Sequence, residues 1–99
     1  MPLRLSHALH KRDAGNEVTV FLVGDAVFGA RSGQSTPDGY YNIERMLKRV
    51  LAGKGRVLMC GTCMDARGMA DDDVMDGASR STMDELAETT ASADKLLVF

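Results

Sequence analysis

The sequence predicts an α/β domain in which helices cover both faces of a parallel sheet. Three observations predict it. Val18–Val23 reads Val-Thr-Val-Phe-Leu-Val, the nearly unbroken apolar and β-branched run of a strand buried on both faces. Ile43, Met46, Leu47, Val50 and Leu51 recur at i, i+3, i+4, i+7 and i+8, the stripe of an amphipathic helix. Segments of these two kinds alternate, helix then strand, three times along the chain, the pattern of right-handed crossover units. Ninety-nine residues, 44% of them hydrophobic, suffice for one apolar core, so residues 1–99 form a single domain.

Leu3–Arg12 reads as the first helix, with Leu5, Ala8 and Leu9 turned inward and Arg4, His7, Lys11 and Arg12 in solvent; Asp13-Ala14-Gly15-Asn16 stops it. Gly24-Asp25 closes the strand at Val18–Val23. Ala26–Ala30 allows one helical turn, and Arg31–Gly39 is a loop by composition. Asn42 caps the central helix and Gly53 lies beyond its end, leaving Glu44, Arg45, Lys48 and Arg49 on a solvated face. Val57–Cys60 is a short apolar strand that hands over to a loop at Gly61-Thr62-Cys63. Asp71-Asp72-Asp73 leads a short amphipathic segment ended by Gly77, and lacks the glycine and glutamate of a calcium loop. Ser81 or Thr82 caps the last helix, because Thr82-Met83-Asp84-Glu85 fits a capping box, with Met83, Leu86, Ala87 and Thr90 on one face. Leu96–Phe99 finishes the chain as a strand.

The net charge of −2 conceals an asymmetry: residues 1–56 carry nine Lys/Arg against five Asp/Glu, and residues 57–99 carry three against nine. The basic residues have no aromatics interleaved, which argues against a nucleic-acid face and for head-to-tail contacts between copies. No apolar run reaches the length of a membrane span, and the first residues lack the layout of a secretory signal, so the expected compartment is the cytoplasm.

Ligand crevices of parallel sheets lie beyond the carboxyl ends of the strands, where Gly24-Asp25 and Cys60-Gly61-Thr62-Cys63 both fall. A cysteine there acts as a nucleophile only as thiolate, which needs a nearby cation or backbone N–H groups; Arg67 is a candidate cation, and Asp65 would oppose it. The plain alternative makes Cys60 an inert core thiol. One CxxC with two distant histidines falls short of a zinc site. A thioredoxin-type exchanger needs a long helix after the dithiol and a later cis-proline, yet Gly68 follows soon and no proline comes after Pro37. His7 with His10, and the methionines 59, 64, 69 and 75, read as surface and packing residues rather than metal ligands.

Gly33-Gln34, Pro37, Gly39-Tyr40-Tyr41-Asn42-Ile43, Met46-Leu47, Cys60-Gly61-Thr62-Cys63-Met64-Asp65-Ala66-Arg67-Gly68, Asp76-Gly77 and Ala93-Asp94-Lys95 together resemble the DsrE/DsrF-like family, in particular its YchN-like branch. The resemblance runs from about Leu3 to Phe99, and the Cys-x-Thr-Cys-x-Asp-x-Arg-Gly run is its specific part. It implies a flavodoxin-like fold, assembly as a trimer or hexamer, and kinship with persulfide carriers of sulfur-relay systems. It places Cys60 where relay members keep their sulfur-carrying cysteine. Family members begin with a further strand, set between the strands at 18–23 and 57–60. The resemblance therefore implies a chain shortened at its N-terminus, whose sheet is open at its centre unless another segment fills the slot or the two strands close directly on one another.

The resulting expectation is a sulfur carrier or sulfurtransferase-like protein that holds a persulfide on Cys60. Cys63 assists or resolves, Arg67 favours the anion, and Asp25, Gln34 and Thr62 line the crevice. No cofactor and no metal are called for; the partners are further copies of the chain and sulfur donor and acceptor proteins. The alternatives are a non-catalytic oligomeric module of the same fold and a redox dithiol protein.

Overall fold

The computed structural model describes residues 2–12, 15–36 and 42–99. The helix stop at Asp13-Ala14 and the resemblance at Pro37, Gly39, Tyr40 and Tyr41 lie outside the described residues. Helix α1 (Pro2–Arg12) leads to strand β1 (Thr19–Leu22), a 3₁₀ run at Gly24–Ala30 and helix α2 (Ile43–Ala52). Strand β2 (Arg56–Cys60), the short helix α3 (Gly61–Ala66), a 3₁₀ turn at Asp71–Asp73, strand β3 (Ala78–Ser81) and helix α4 (Met83–Ser92) complete the order.

Among the described residues the sheet is parallel and three-stranded, in the order β1-β2-β3. β1 and β2 pair directly, Val20 opposite Val57 and Leu22 opposite Met59. Of the alternatives, direct closure is the one the structure adopts: the Arg56 N–H bonds the Val18 carbonyl at 3.0 Å and closes the two strands onto one another. Gly55 makes that closure feasible, since its N–H reaches the Val50 carbonyl at 2.8 Å and turns the chain out of α2 straight into β2.

Alternation along the strands separates two faces. Val57 and Met59 join Leu3, Val27, Ala30, Leu47, Val50, Met64, Met69 and Met75 in the core, with Val18, Val20, Leu22 and Ala78 packed against it. Leu58 and Cys60 point to the other face, where α4 is tied down through Glu85 to Ser81 and Arg56. Helices thus flank the sheet on both sides, as expected.

Four expectations need correction. In α1 the buried residue is Leu3, whereas Leu5 and Leu9 are each 38% exposed. The helix is rolled by its contact with α2, where the His10 ring sits so close to Gly53 that a Cβ there would lie 2.9 Å from it. Second, Glu44 is buried at 8% exposure, and Ile43 is exposed instead. Asn42 caps α2 as expected, accepting from the Arg45 N–H at 3.0 Å, but the buried stripe runs Glu44, Leu47, Val50. Third, Gly61–Ala66 is helical rather than a loop, and β3 is a strand with no apolar run in its sequence, Ala-Ser-Arg-Ser. An edge strand half open to water needs none. Fourth, Leu96–Phe99 forms no strand: the four residues are 57–85% exposed, with no described strand beside them to supply a ladder. Thr82 caps α4 through the Glu85 N–H, but no residue of α4 is buried.

Glu44 holds the loop ahead of α2. Its carboxylate accepts from the Gly33 N–H at 3.2 Å and the Gln34 N–H at 2.9 Å and pairs with Lys48 at 3.6 Å. Burial alone would raise its pKa, but the two N–H groups and Lys48 outweigh it, so the carboxyl titrates below its usual range. Glu44→Ala leaves both N–H groups without that acceptor and should cost about 1–3 kcal/mol, read from the denaturant midpoint. Because the folded-state value is depressed, this contribution is complete above the ordinary carboxylate pKa. It fades as pH falls through the folded-state value, so wild type and variant should converge in acid.

Candidate functional site

Cys60 is both the last residue of β2 and the N-cap of α3, with no spacer between strand and helix. Its sulfur lies 3.2 Å from the Thr62 hydroxyl. Around it the Cys63 thiol, the Thr62 hydroxyl and the Cys63 and Thr62 backbone N–H groups converge. Led by the Cys63 thiol, they lower the Cys60 pKa to about 7 against the opposing pull of burial. Near neutrality the thiol is therefore about half ionised, where an ordinary cysteine would be only a few per cent thiolate. Cys60 is 3% exposed, Cys63 is half-buried and Thr62 is at the surface, and both thiols are free.

Three of the expected residues, Cys60, Thr62 and Cys63, thus form one cluster. Arg67 does not reach the Cys60 sulfur. Its guanidinium donates to Asp25 at 2.8 Å and to the Cys63 carbonyl at 3.1 Å, stitching the end of β1 to the backbone of α3. The groups that favour the thiolate are the Cys63 thiol, the Thr62 hydroxyl and two amides, not Arg67. Asp25 contributes only through this link, its side chain being 90% exposed. Gln34 is not at the site: its amide donates to the Gly29 and Arg31 carbonyls, both at 2.8 Å, and fixes the loop beside Glu44.

Two supports of the cluster were not legible in the sequence. Arg80 donates to the Gly61 carbonyl at 3.0 Å and bridges Asp65 and Asp71 at 3.0 and 3.1 Å, clamping α3 to β3. Asp71 and then Asp65 raise its pKa further. Glycine at 61 suits this contact, because a Cβ would sit a tight 3.0 Å from the Arg80 side chain and 3.2 Å from the Ser81 carbonyl. Ser81, opposite Cys60 in the ladder, is buried and donates to the Glu85 carboxylate, which also accepts from Arg56 at 3.1 Å. The only signal for Arg80 was a lone cation in a polar stretch, and its partners stand 9 to 19 residues away.

Among the described residues no cluster of three or more His, Cys, Asp or Glu could hold a metal ion. No described helix is long and apolar enough to cross a membrane. A recess of about 300 Å³ opens at the opposite end of the sheet, among Leu51, Arg56, Leu58, Ser79 and Glu85, and neither thiol lines it.

The model of the DsrE/DsrF-like family matches residues 1–99. Protein YchN of Escherichia coli is 40% identical over 97 residues, which are 98% of this chain and 82% of YchN. An uncharacterized Methanopyrus kandleri protein, MK0008, is 33% identical over 95 residues, 96% of this chain and 78% of its own length. The crystal structure of the E. coli ychN protein superposes with a TM-score of 0.91, covering 98% of this chain and 82% of that one.

Proposed function

We propose, on the premise that the chain belongs to the DsrE/DsrF-like family, that it is a sulfur carrier holding a persulfide on Cys60 with Cys63 assisting. The family suggests a sulfur-relay role, and the flavodoxin-like α/β fold sets the cysteine at the carboxyl end of a central strand. The observation that carries the reading is the ring of donors around the Cys60 sulfur, which makes a thiolate available at neutral pH. In the loading step this thiolate attacks the outer sulfur of a donor persulfide. The new S–S bond forms on Cys60 as the donor's S–S bond breaks, and the donor leaves as thiolate, so no oxidant or reductant is consumed.

Incubation with a persulfide donor tests this by intact mass, with uptake of one sulfur atom per chain expected. Failure of the wild type to gain sulfur would end the proposal. Alkylation of Cys60 should rise with pH through a midpoint near 7. Thr62→Val, which keeps the shape and removes the hydroxyl donor, should move that midpoint upward by about half a unit or more.

Reduced thiols suit a cytoplasmic setting, and the apolar side chains of Leu5, Leu9, Val23, Phe28 and Ile43 left at the surface suit assembly with further copies. Light scattering reads that assembly directly. The burial of Cys60 favours a second reading, a non-catalytic module whose thiols are inert. In that case the thiols react with a thiol reagent only after denaturation.

A further inference from the structure

Cys60 is 3% exposed and its sulfur lies against the Thr62 hydroxyl, whereas Cys63, three residues on in the same short helix, is half-buried and is the leading influence on the Cys60 thiol. A donor larger than a few atoms therefore meets Cys63 before it can meet Cys60. The ladder neighbour on the other side offers no route, since Ser81 is buried and bonded to Glu85. Of the two sulfurs, Cys60 is the one surrounded by donors that stabilise an anion, and Cys63 is itself one of those donors.

Resting on the carrier reading above, we infer that Cys63 is the port through which sulfane sulfur enters and leaves, and Cys60 the site at which it is kept. The transfer is internal. The Cys63 sulfur first attacks the outer sulfur of a bulky donor, such as a persulfide on a peptide or protein; the Cys63 S–S bond forms as the donor's S–S bond breaks, and the donor leaves as thiol with the proton that Cys63 gives up. The Cys60 thiolate then attacks the outer sulfur of the Cys63 persulfide. The Cys60 S–S bond forms while the Cys63 S–S bond breaks, and the Cys63 sulfur departs with the electron pair and recovers a proton. One sulfane sulfur moves by one residue pair, and nothing is oxidised or reduced. Unloading is the same exchange reversed, with the acceptor thiolate attacking at Cys63.

The test compares a small donor, inorganic polysulfide, with a bulky one, glutathione persulfide, on the whole chain. Peptide mass analysis within the first turnover locates the sulfur. Wild type should carry it on Cys60 from either donor. Cys63→Ser and Cys63→Ala, which also remove the thiol that leads the lowering of the Cys60 pKa, should slow with both donors, but loading from glutathione persulfide should fall about tenfold or more further than loading from polysulfide, and Cys60→Ser should trap the sulfur on Cys63. Loading of both Cys63 variants that is slowed by the same factor with the two donors, or not slowed at all, would overturn the port. So would a Cys60–Cys63 disulfide formed with one sulfide released per chain, since Cys63 would then eject sulfur instead of passing it. Loading from polysulfide shows that the variants retain a competent Cys60, and absence of sulfur on wild-type Cys60 from either donor would defeat the carrier reading itself.

Discussion

Cys60→Ser should retain about tenfold less sulfur than the wild type after loading and a brief rinse with a small thiol, and the double replacement of Cys60 and Cys63 should take up none. The contrast follows from burial. A persulfide on Cys60 lies beside Thr62 at a position only 3% exposed and meets the rinse thiol slowly, whereas sulfur stopped on half-buried Cys63 is open to it. Serine is only slightly smaller than cysteine and keeps a group able to hydrogen-bond at residue 60, so an unchanged far-UV spectrum is expected. Equal retention by Cys60→Ser and wild type, measured by mass after the rinse, would move the sulfur elsewhere and remove the argument from the donor ring.

Gly55→Ala should destabilise the fold by about 3 kcal/mol, seen as a lower denaturant midpoint at unchanged slope. A Cβ at residue 55 would meet the Val50 side chain at 2.6 Å, the Val18 carbonyl at 2.7 Å and the Val50 carbonyl at 2.8 Å. Two of these contacts are backbone, and they belong to the bonds that carry α2 into β2 and set β2 against β1. No rotamer relieves them, so the strands must part at their first rung. Gly33→Ala serves as contrast, because nothing lies within 4 Å of its Cβ and its cost is limited to the strain of a φ of +80°.

Much of this architecture could be read from local pattern. β1, α2 and β2 each carry their own periodicity, and a cap such as Asn42 or Thr82 acts within three residues, so these elements needed no tertiary information. The cysteine cluster was legible for the same reason: Cys60, Thr62 and Cys63 are sequence neighbours, and a strand end followed by a tight turn brings their polar atoms together. What escaped was set by contacts between distant segments. The roll of α1 depends on one glycine just past the end of α2, the burial of Glu44 on amides ten and eleven residues away, and the clamp on α3 on Arg80 in a strand with no hydrophobic signal. Arg67 illustrates the limit most clearly. Proximity in sequence made it a partner for the thiolate, yet Asp25, 42 residues away, takes its charge.

The two margins of the sheet are unlike. Among the described residues β1 has no neighbour on its outer side, and Thr-Val-Phe-Leu there carries neither a charge nor a proline; β3 is bordered by serines and by Arg80 held in its acidic bridge. Natural edges are blunted by polarity of the second kind, and an unguarded edge of the first kind is adhesive. Among the described residues only the β1 margin is of the adhesive kind, so two molecules joined along it would leave polar borders on both outsides. Polar outer borders of that kind are what keep edge-to-edge addition from running on into a fibril.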